Sequence, residues 1–269
     1  AWEQGQQRFG VSQMLDEFVQ TRQSSFFVRT LQRIQSSVAR FAVKIIVPSE
    51  YLKNIILAWG IPAERIQVIY NAVTLEKRGV VPENVKRLHG VRVVIVGRLV
   101  PWKNIDKVMN AVWAVRRKGK SLSLIIVGDG PQHQELEEKA SHLLKSNFAF
   151  TGQLSHADTL ATMKASDILV MNSSYEGLSH VLIEAQSLGI PSIVTNAGGN
   201  YEVVIKSSAK IIQLGDTSGL SSFLELLASD VNERERLSKS AKESSKRFST
   251  EAMLSAVSQL MLDVVRPTH

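Results

Sequence analysis

From residue 92 onward, short apolar runs alternate with longer segments whose apolar positions recur every three or four residues. The short runs are rich in Val and Ile with little polar alternation, which is typical of strands buried on both faces of a parallel sheet. The longer segments, such as Ile105–Lys118 and Gln132–Leu144, have helical spacing. Repeated strand–helix units predict a doubly wound, Rossmann-like α/β domain with right-handed crossovers. The predicted strands are Arg92–Val96, Ser123–Val127, Phe148–Thr151, Ile168–Met171, Ser192–Thr195 and Lys210–Leu214.

The first 75 residues have a different pattern. An apolar stripe with helical spacing comes early, and several arginines lie beside it. Such a basic amphipathic helix can bind a membrane surface, or its stripe can pack on a sheet, and both interpretations stay open. A strand at Val43–Val47, a helix at Glu50–Trp59 and a strand at Ile66–Tyr70 are predicted to follow. The stripe consists of Phe27, Leu31, Ile34, Val38 and Phe41, with Arg22, Arg29, Arg33 and Arg40 nearby.

These patterns divide the chain into four parts. We interpret residues 1–75 as the C-terminal part of an earlier α/β domain and residues 76–90 as a polar linker. Residues 91–230 are predicted to form the complete α/β domain, and residues 231–269 to be mainly helical. The sequence begins at Ala1, without an initiator Met and inside a helical pattern, so we expect it to be a fragment.

The composition narrows the choice of partners. The chain has 269 residues, of which 44% are hydrophobic and 21% charged, as in ordinary globular proteins. It has no cysteines, which excludes disulfides and thiolate metal sites. The formal net charge of +7 favours acidic partners such as nucleotide phosphates, anionic lipid or nucleic acid, although Lys and Arg can equally coat the surface. No run reaches the ~18 apolar residues that a membrane-spanning helix needs.

Ligands of open parallel sheets bind outside the carboxyl ends of the strands, so the residues that follow each predicted strand are informative. Arg98 and Lys103 follow the first of these strands and offer two cations suited to a diphosphate. Any single glycine is explained by a tight turn alone, but five such ends on one edge favour a binding site. The five ends are Gly97-Arg98, Gly128–Pro131 with Gly130, Thr151-Gly152, Asn172–Gly177 and Asn196–Gly199.

The segment Glu176–Glu184 is the most specific part of the sequence. Gly177 is predicted to precede a helix that runs to about Leu188. The amides at the start of that helix, near Leu178–His180, can hold a phosphate. With ~1.5 Å of rise per residue, the helical part alone separates the two carboxylates by ~10 Å, more than the ~5–9.5 Å of a glycosidase pair. This spacing suits two carboxylates that hold opposite ends of a long ligand, a sugar at one end and a ribose at the other.

Other kinds of site are not indicated. The sequence has no Asp-x-Asp, no G-x-x-x-x-G-K-[ST] phosphate loop and no G-x-S-x-G. Gly128–His133 contains Gly-x-Gly but lacks the third glycine of the dinucleotide fingerprint. The six histidines show no metal-ligand spacing, and we expect His133, His142 and His156 on surface helices or loops. We therefore predict neither a metal nor a cofactor.

Taken together, these residues resemble family 4 of the retaining glycosyltransferases, which have the GT-B fold. The similarity is nearly continuous from about Ile45 to Val204. Such an enzyme also needs an N-terminal acceptor domain, of which only the tail, roughly Ala1–Asn71, is expected here. The last helices should cross back towards that domain, and this chain should bind donor without turning it over. The resemblance rests on Val47–Glu50, Ile66–Val73 with Asn71, Val96–Leu99 with Lys103, Val127–Pro131, Phe150–Gly152, Ser174–Ala185, Gly189–Pro191, and Gly198-Gly199 with Glu202.

The resemblance implies a role for each candidate residue. Arg98 and Lys103 would bind the donor diphosphate and stabilise the departing nucleotide, and Glu184 would hold the ribose hydroxyls. Glu176 would hold a hydroxyl of the transferred sugar, assisted by backbone amides near Leu178 and Ser179. The family keeps the anomeric configuration and is thought to use front-face displacement without a covalent nucleophile. The other donor-binding residues that it implies are Gly97, Gly130, Gly177, His180 and, in the loop that would face the base, Gly152, Gln153 and Leu154.

Two positions depart from the family pattern. Leu178, Ser179 and His180 stand where the family usually has Phe-Gly or similar, which affects the expected sugar contacts but not the phosphate site. Ala72 follows Asn71 where the family usually has glycine, at a position that joins the two domains.

The leading hypothesis is a metal-independent transferase that moves a hexose or related sugar from a UDP- or GDP-linked donor to a glycan or lipid-linked acceptor. The basic amphipathic helix suggests a cytoplasmic enzyme with peripheral contact to the membrane face. The alternatives are a sugar-nucleotide epimerase of the same architecture and a non-catalytic nucleotide-sugar-binding protein. The Glu176 and Glu184 pair argues against the epimerase, and the intact Arg98 and Lys103 argue against a decayed site. Nucleic acid is not an expected partner, because no reading motif accompanies the charge.

Overall fold

The computed structural model describes residues 26–76, 78–205 and 207–265. It divides into two compact units, one of residues up to Asn71 together with those from Thr250 onward, the other of Ala72–Ser249. Part of the predicted basic amphipathic helix lies outside the described residues, namely Arg22 and the side chains of Phe27, Arg29 and Leu31.

The described part of the first unit begins with helix α1 (Phe26–Arg40) and contains a two-stranded parallel sheet. Strand β1 (Ile45–Val47) pairs with β2 (Ile66–Val68), and helix α2 (Glu50–Ala58) connects them. The Ser49 hydroxyl starts α2 by accepting the Leu52 N–H at 3.1 Å. These elements agree with the prediction, although both strands are shorter than expected. A small core forms from Val47, Ile61 and Ile66.

The apolar stripe of α1 does not pack on a sheet within the described part of this unit. Ile34, Val38 and Phe41 are 54%, 65% and 89% exposed. Packing on a sheet, one of the two interpretations of this stripe, is therefore not seen at these three positions. No helix among the described residues combines the length and the apolarity needed to cross a membrane.

The second unit is built on a six-stranded sheet in the order β5-β4-β3-β6-β7-β8, and every pair of neighbours is parallel. The doubly wound parallel sheet of the prediction is thus confirmed. The strands are β3 (Val91–Val96), β4 (Leu122–Val127), β5 (Phe148–Gly152), β6 (Ile168–Met171), β7 (Ser192–Thr195) and β8 (Lys210–Ile212). Their helices are α3 (Glu83–Lys86), α4 (Ile105–Arg117), α5 (His133–Leu144), α6 (His156–Lys164), α7 (His180–Leu188), α8 (Asn200–Val203), α9 (Thr217–Ser229) and α10 (Val231–Ser245).

The main core lies between this sheet and its helices. All six residues of β4 are buried, which explains why the strand is apolar at every position except Ser123. Register is simple in the centre of the sheet: Val93 of β3 lies opposite Leu124 of β4 on one side and Ile168 of β6 on the other. Helix α4 contributes Met109 and Val112, both fully buried, to the same core.

Residues 76–90 are packed more closely than the predicted polar linker. Val85 of the short helix α3 is fully buried, and Leu88 is 8% exposed. The Asn84 side chain donates to the Phe150 carbonyl at 3.0 Å, and the Val80 N–H donates to Asp158 at 2.6 Å. This segment therefore lies against β5 and α6 of the second unit.

The C-terminal helices belong to different units. Helix α10 lies in the second unit, where Glu233 pairs with Lys210 at 2.6 Å and the Ser244 hydroxyl donates to the Val203 carbonyl at 3.3 Å. Helix α11 (Thr250–Val265) groups with the first unit. Residues 231–265 are mainly helical, as predicted. The predicted domain boundaries, and the crossing of the last helices, stay predictions.

Candidate active site

The order of the strands reverses between β3 and β6. The chain runs from β3 through β4 to β5 on one side, and from β6 through β7 to β8 on the other. At such a switch point, the loops that follow the two central strands diverge and leave a crevice at the carboxyl edge of the sheet. The candidate residues after β3 and after β6 therefore lie on either side of the position where this kind of sheet binds its ligands.

An ion pair joins these two loops. Lys103 Nζ lies 2.5 Å from Glu176 Oε1, and the two side chains are only 19% and 15% exposed. Lys103 ends a short 3₁₀ turn, Pro101–Lys103, that connects β3 to α4. A Cβ added to Gly97 would lie 3.6 Å from Lys103 Nζ, so the ammonium group sits close to the end of β3. Two candidate catalytic residues from distant parts of the sequence thus meet at the switch point.

Asn104 fixes the geometry of this pair. Its backbone has the left-handed conformation, with φ of 48°, which asparagine tolerates better than most residues. Its side-chain amide donates to the Asn172 carbonyl at 3.0 Å and to the Ser174 hydroxyl at 2.8 Å. The Ser174 N–H donates in turn to the Trp102 carbonyl at 2.7 Å. The turn that carries Lys103 is therefore tied by hydrogen bonds to the loop that carries Glu176.

Two glycines hold the backbone of Glu176 and Gly177 from the other side. A Cβ at Gly198 would lie 2.0 Å from the Glu176 carbonyl oxygen, and one at Gly199 would lie 2.1 Å from the Gly177 carbonyl oxygen. The Gly199 N–H donates to the Glu176 carbonyl at 2.8 Å. Only glycine permits this approach, so the loop after β7 buttresses the loop after β6.

The loops after β3 and β4 meet in the same way. Gly128 has φ of +128°, and a Cβ there would lie 2.1 Å from the Gly97 carbonyl oxygen. Gly130 lies against the backbone of Leu99, where a Cβ would come within 2.5 Å of the carbonyl oxygen. Asp129 accepts the Gly130 N–H at 2.7 Å, and this bond, with a further one from His133, holds the pKa of the Asp129 carboxyl below its ordinary value.

Helix α7 carries the rest of the Glu176–Glu184 segment. It begins at His180, close to the predicted start, and the Ser179 hydroxyl caps it by accepting the Leu182 N–H at 3.3 Å. His180 is exposed, whereas Leu178 is 8% exposed. The hydroxyl of Ser179 therefore serves the helix, and only its backbone amide is left for the predicted donor contact.

Glu184 lies inside α7 and is 7% exposed. Its Oε1 is 2.8 Å from His156 Nε2, and His156 Nδ1 is 2.9 Å from Glu76 Oε1. Hydrogen bonds to Glu76 and then to Glu184 raise the pKa of His156 above its ordinary value. We refer to Glu76, His156 and Glu184 as the histidine bridge. His156 does lie on a surface helix, as expected, but the sequence did not indicate its carboxylate partners.

The remaining candidates lie at the same edge of the sheet. Arg98 is exposed and comes directly after β3. Gly152, with φ of +66°, ends β5 and is followed by the exposed Gln153 and the half-buried Leu154. Within the described ranges, no three His, Asp or Glu side chains are grouped so that they could hold a metal ion. The candidate site is thus a line of polar and glycine residues along the carboxyl ends of β3 to β7.

The chain belongs to the family of glycosyl transferases group 1, whose family model matches residues 81–244. The model of Glycosyltransferase Family 4 matches residues 14–77. These matches confirm the resemblance found in the sequence.

Curated relatives of this chain are also named as glycosyltransferases. An uncharacterized glycosyltransferase of Methanocaldococcus jannaschii is 29% identical over 198 residues, which are 71% of this chain and 50% of the relative. The lipopolysaccharide core biosynthesis glycosyltransferase LpsD of Rhizobium meliloti is 34% identical over 167 residues, 61% of this chain and 47% of the relative. The chain thus spans about half the length of these curated relatives.

The fold is similar to that of Anabaena HepE, solved in complex with UDP-glucose. The TM-score is 0.76 at 23% identity, covering 87% of this chain and 68% of HepE. This likeness confirms the predicted fold class, α/β of the GT-B type.

Proposed function

We propose that this chain is the donor-binding half of a retaining glycosyltransferase. The whole enzyme would move a hexose or related sugar from a UDP- or GDP-linked donor to a glycan or lipid-linked acceptor, without a metal ion. The observation that carries the proposal is the ion pair at the switch point, in which Lys103 Nζ lies 2.5 Å from Glu176 Oε1. A cation and a carboxylate held side by side suit a ligand that carries a phosphate next to a hydroxyl-bearing sugar.

In this proposal the donor lies along the carboxyl edge of the sheet. Lys103 and Arg98 bind the diphosphate, Glu176 accepts a hydrogen bond from a sugar hydroxyl, and Glu184 accepts from the ribose. The amides at the start of α7 add partial positive charge near the phosphates. The base faces the loop of Gly152, Gln153 and Leu154.

The chemistry assigned to these residues is electrostatic. The bond between the anomeric carbon and the diphosphate oxygen breaks, and the acceptor hydroxyl oxygen bonds to that carbon on the same face. Negative charge grows on the departing diphosphate, and the cations of Arg98 and Lys103 stabilise it there. The acceptor proton leaves with the diphosphate oxygen, so the atoms balance without a covalent enzyme intermediate.

The comparisons support the donor and acceptor classes. HepE is described with UDP-glucose, a donor of the proposed class. LpsD is named as a glycosyltransferase of lipopolysaccharide core biosynthesis, which agrees with the proposed glycan or lipid-linked acceptor. A cytoplasmic location with α1 at the membrane face also belongs to the proposal, and the exposure of Ile34, Val38 and Phe41 beside Arg33 supports it.

Calorimetric titration with UDP-glucose, UDP-galactose, GDP-mannose and ADP-glucose tests donor binding. We expect saturable binding of one donor, weakened about 10–100-fold by Glu184→Ala, since a charge-assisted hydrogen bond contributes roughly 1.5–3 kcal/mol. Glu135→Ala, on the exposed surface of α5, is the matched control and should bind like the unmodified chain. Unchanged donor affinity in folded Glu184→Ala would contradict the role of Glu184. Failure of every donor to bind either this chain or a longer form would refute the proposal.

Two further measurements on a longer, active form test the mechanism. The anomeric configuration of the product, read by NMR, should equal that of the donor, and an inverted product would contradict retention. Turnover should persist in excess EDTA, and its loss would contradict metal independence.

A further inference from the structure

The imidazole of His156 lies between two carboxylates that come from different elements. Glu184 belongs to α7, whereas Glu76 belongs to the segment that precedes α3. The Glu184 side chain is only 9% exposed, and those of His156 and Glu76 are 45% and 52% exposed. The histidine bridge therefore connects a nearly buried carboxylate to one at the surface.

Both contacts of the bridge require a protonated ring. A carboxylate only accepts hydrogen bonds, and a neutral imidazole has one N–H and one bare nitrogen. The imidazolium form can donate to Glu76 and to Glu184 together, but the neutral form can donate to only one of them. Loss of the proton thus opens one contact and leaves a nitrogen lone pair facing a carboxylate.

The segment that carries Glu76 is anchored beside His156. A Cβ at Gly79 would lie 2.0 Å from the Ala157 carbonyl oxygen, and the Val80 N–H donates to Asp158 at 2.6 Å. Asp158, on the helix of His156 itself, is engaged by this bond and by the Ser155 hydroxyl. The charged groups that act on the ring from the elements packed against it are Glu76 and Glu184.

We propose that His156 is a positioning residue for donor binding, which in its charged form holds the Glu184 carboxylate ready for the donor ribose. This inference rests on the proposed role of Glu184. The hydrogen bond from His156 uses Oε1, and since a carboxylate offers about four acceptor positions, the carboxylate keeps capacity for ribose hydroxyls. The outer partners that orient metal-binding carboxylates and histidines change metal affinity about 10–100-fold when they are removed, and we expect His156 to act on Glu184 in a similar way.

The proposal predicts a pH dependence with a definite sign. The bridge raises the pKa of His156, so the bridged form persists at low pH and is lost as the pH rises through that raised pKa. Donor affinity should therefore be highest on the acidic side and fall about five-fold or more across the transition, a typical size for coupling between two groups. Glu76→Gln should move the midpoint to lower pH, because it removes the carboxylate whose hydrogen bond raises the pKa of His156 most.

The experiment combines two readouts. Affinity for the nucleotide sugar that the chain binds is measured by calorimetry between pH 5.5 and 8.5, because a diphosphate esterified at both ends has no proton that titrates near pH 6. The pKa of His156 is measured in parallel by NMR of its ring nitrogens. The variants are His156→Gln, which keeps a side-chain N–H donor but cannot titrate, and Glu76→Gln. His142→Gln, which removes an exposed histidine from α5, is the matched control.

The expected result is a single midpoint shared by affinity and by the His156 ring, shifted downward in Glu76→Gln, absent in His156→Gln and unchanged in His142→Gln. An unshifted ring pKa in Glu76→Gln, or an affinity that does not follow the ring, would overturn the inference. The outcome for Glu184→Ala separates the two proposals. If that variant binds donor normally, the ribose role itself fails, whereas if it binds weakly while His156 has no effect, only the positioning role fails.

Discussion

The two carboxylates of the candidate site are held in different ways. Around Glu176, backbone and short polar side chains fix the geometry, with Asn104 tying the two central loops together and Gly198 pressing on the main chain. Glu184 is instead held by the ionisable side chains of the histidine bridge, in which His156 bonds to both Glu184 and Glu76. The hydrogen bonds from Asn104 and Gly199 that fix the first arrangement involve no ionisable donor, whereas the second arrangement depends on the proton shared through His156.

This difference has a functional meaning in the proposed enzyme. Charge develops during sugar transfer at the diphosphate, next to Lys103 and Glu176, and stabilising it requires groups that are already in place. The ribose is bound but not changed by the reaction, so the groups near Glu184 have only to capture it. A rigid cluster at the reacting end and an adjustable bridge at the other end are consistent with these separate tasks.

The largest expected effect is on the free energy of unfolding, and it comes from the loops around Glu176, which we call the rigid cluster. Gly198→Ala places a methyl group 2.0 Å from the Glu176 carbonyl oxygen at a φ of +55°. We expect it to lower the free energy of unfolding by about 3 kcal/mol, as strain and overlap combine. The measurement is urea denaturation.

The matched control is Gly215→Ala, where φ is +85° and no atom lies within 4 Å of the new methyl group. It should cost about 1 kcal/mol, from backbone strain alone. Equal losses in the two variants would contradict the close backbone contact.

The next effect is on donor affinity. Lys103→Ala removes a cation and leaves Glu176 unpaired, so we expect nucleotide-sugar affinity to fall about 100-fold, the upper end for a charged hydrogen bond. Lys107→Ala, whose side chain is 51% exposed one turn along α4, is the control and should bind normally. A similar loss in both variants would indicate a general charge effect instead of a specific contact.

A smaller effect should follow from loosening the rigid cluster. Asn104→Gly keeps access to the left-handed backbone but removes the amide that bonds to Asn172 and Ser174. We expect donor affinity to fall about five-fold, corresponding to about 1 kcal/mol, with no change in its pH dependence. Calorimetry at pH 6 and pH 8 checks this, and a new pH dependence would contradict the separation of the two ends.

The smallest expected effect is on stability, at Glu233, which belongs neither to the loops around Glu176 nor to the histidine bridge. A hydrogen bond from Arg236, and to a smaller extent one from Lys210, lowers the pKa of Glu233 to about 2. A carboxyl group whose pKa is lowered by folding stabilises the folded state only when it is ionised. The contribution of Glu233 to the free energy of unfolding is therefore complete above the pKa that Glu233 has in the unfolded chain, and it is lost as the pH falls through about 2. Glu233→Gln should therefore lower stability by about 1 kcal/mol at pH 7, and progressively less below pH 4.

Thermal unfolding at several pH values measures this difference. Donor affinity of Glu233→Gln should equal that of the unmodified chain. A constant stability difference down to pH 2, or a changed donor affinity, would show that Glu233 acts in another way.

Much of the second unit could be predicted because its signals are local. The runs Ile168–Met171 and Ser192–Thr195 are strands with the predicted bounds, since buried parallel strands have continuous apolar sequences. The carboxyl edge followed from the predicted parallel direction of the strands alone, because every loop after a parallel strand emerges on the same side.

The parts that escaped prediction depend on contacts between distant residues. His156 and Glu184 are 28 positions apart, and His156 and Glu76 are 80 apart, so no spacing rule connects them. Residues 76–90 look polar, yet Val85 and Leu88 are buried and Asn84 bonds to β5. Periodicity identifies the buried face of a helix but not which neighbour a polar side chain contacts.

The central claim is that Glu184 recognises the ribose of a nucleotide donor. Its most direct test compares the affinity of the nucleoside diphosphate that the chain binds with that of its 2′,3′-dideoxy analogue, in the unmodified chain and in Glu184→Ala. The account predicts that the unmodified chain binds the analogue about 10–100-fold more weakly, whereas the variant binds both equally. A variant that still discriminates between them as strongly as the unmodified chain would contradict the account.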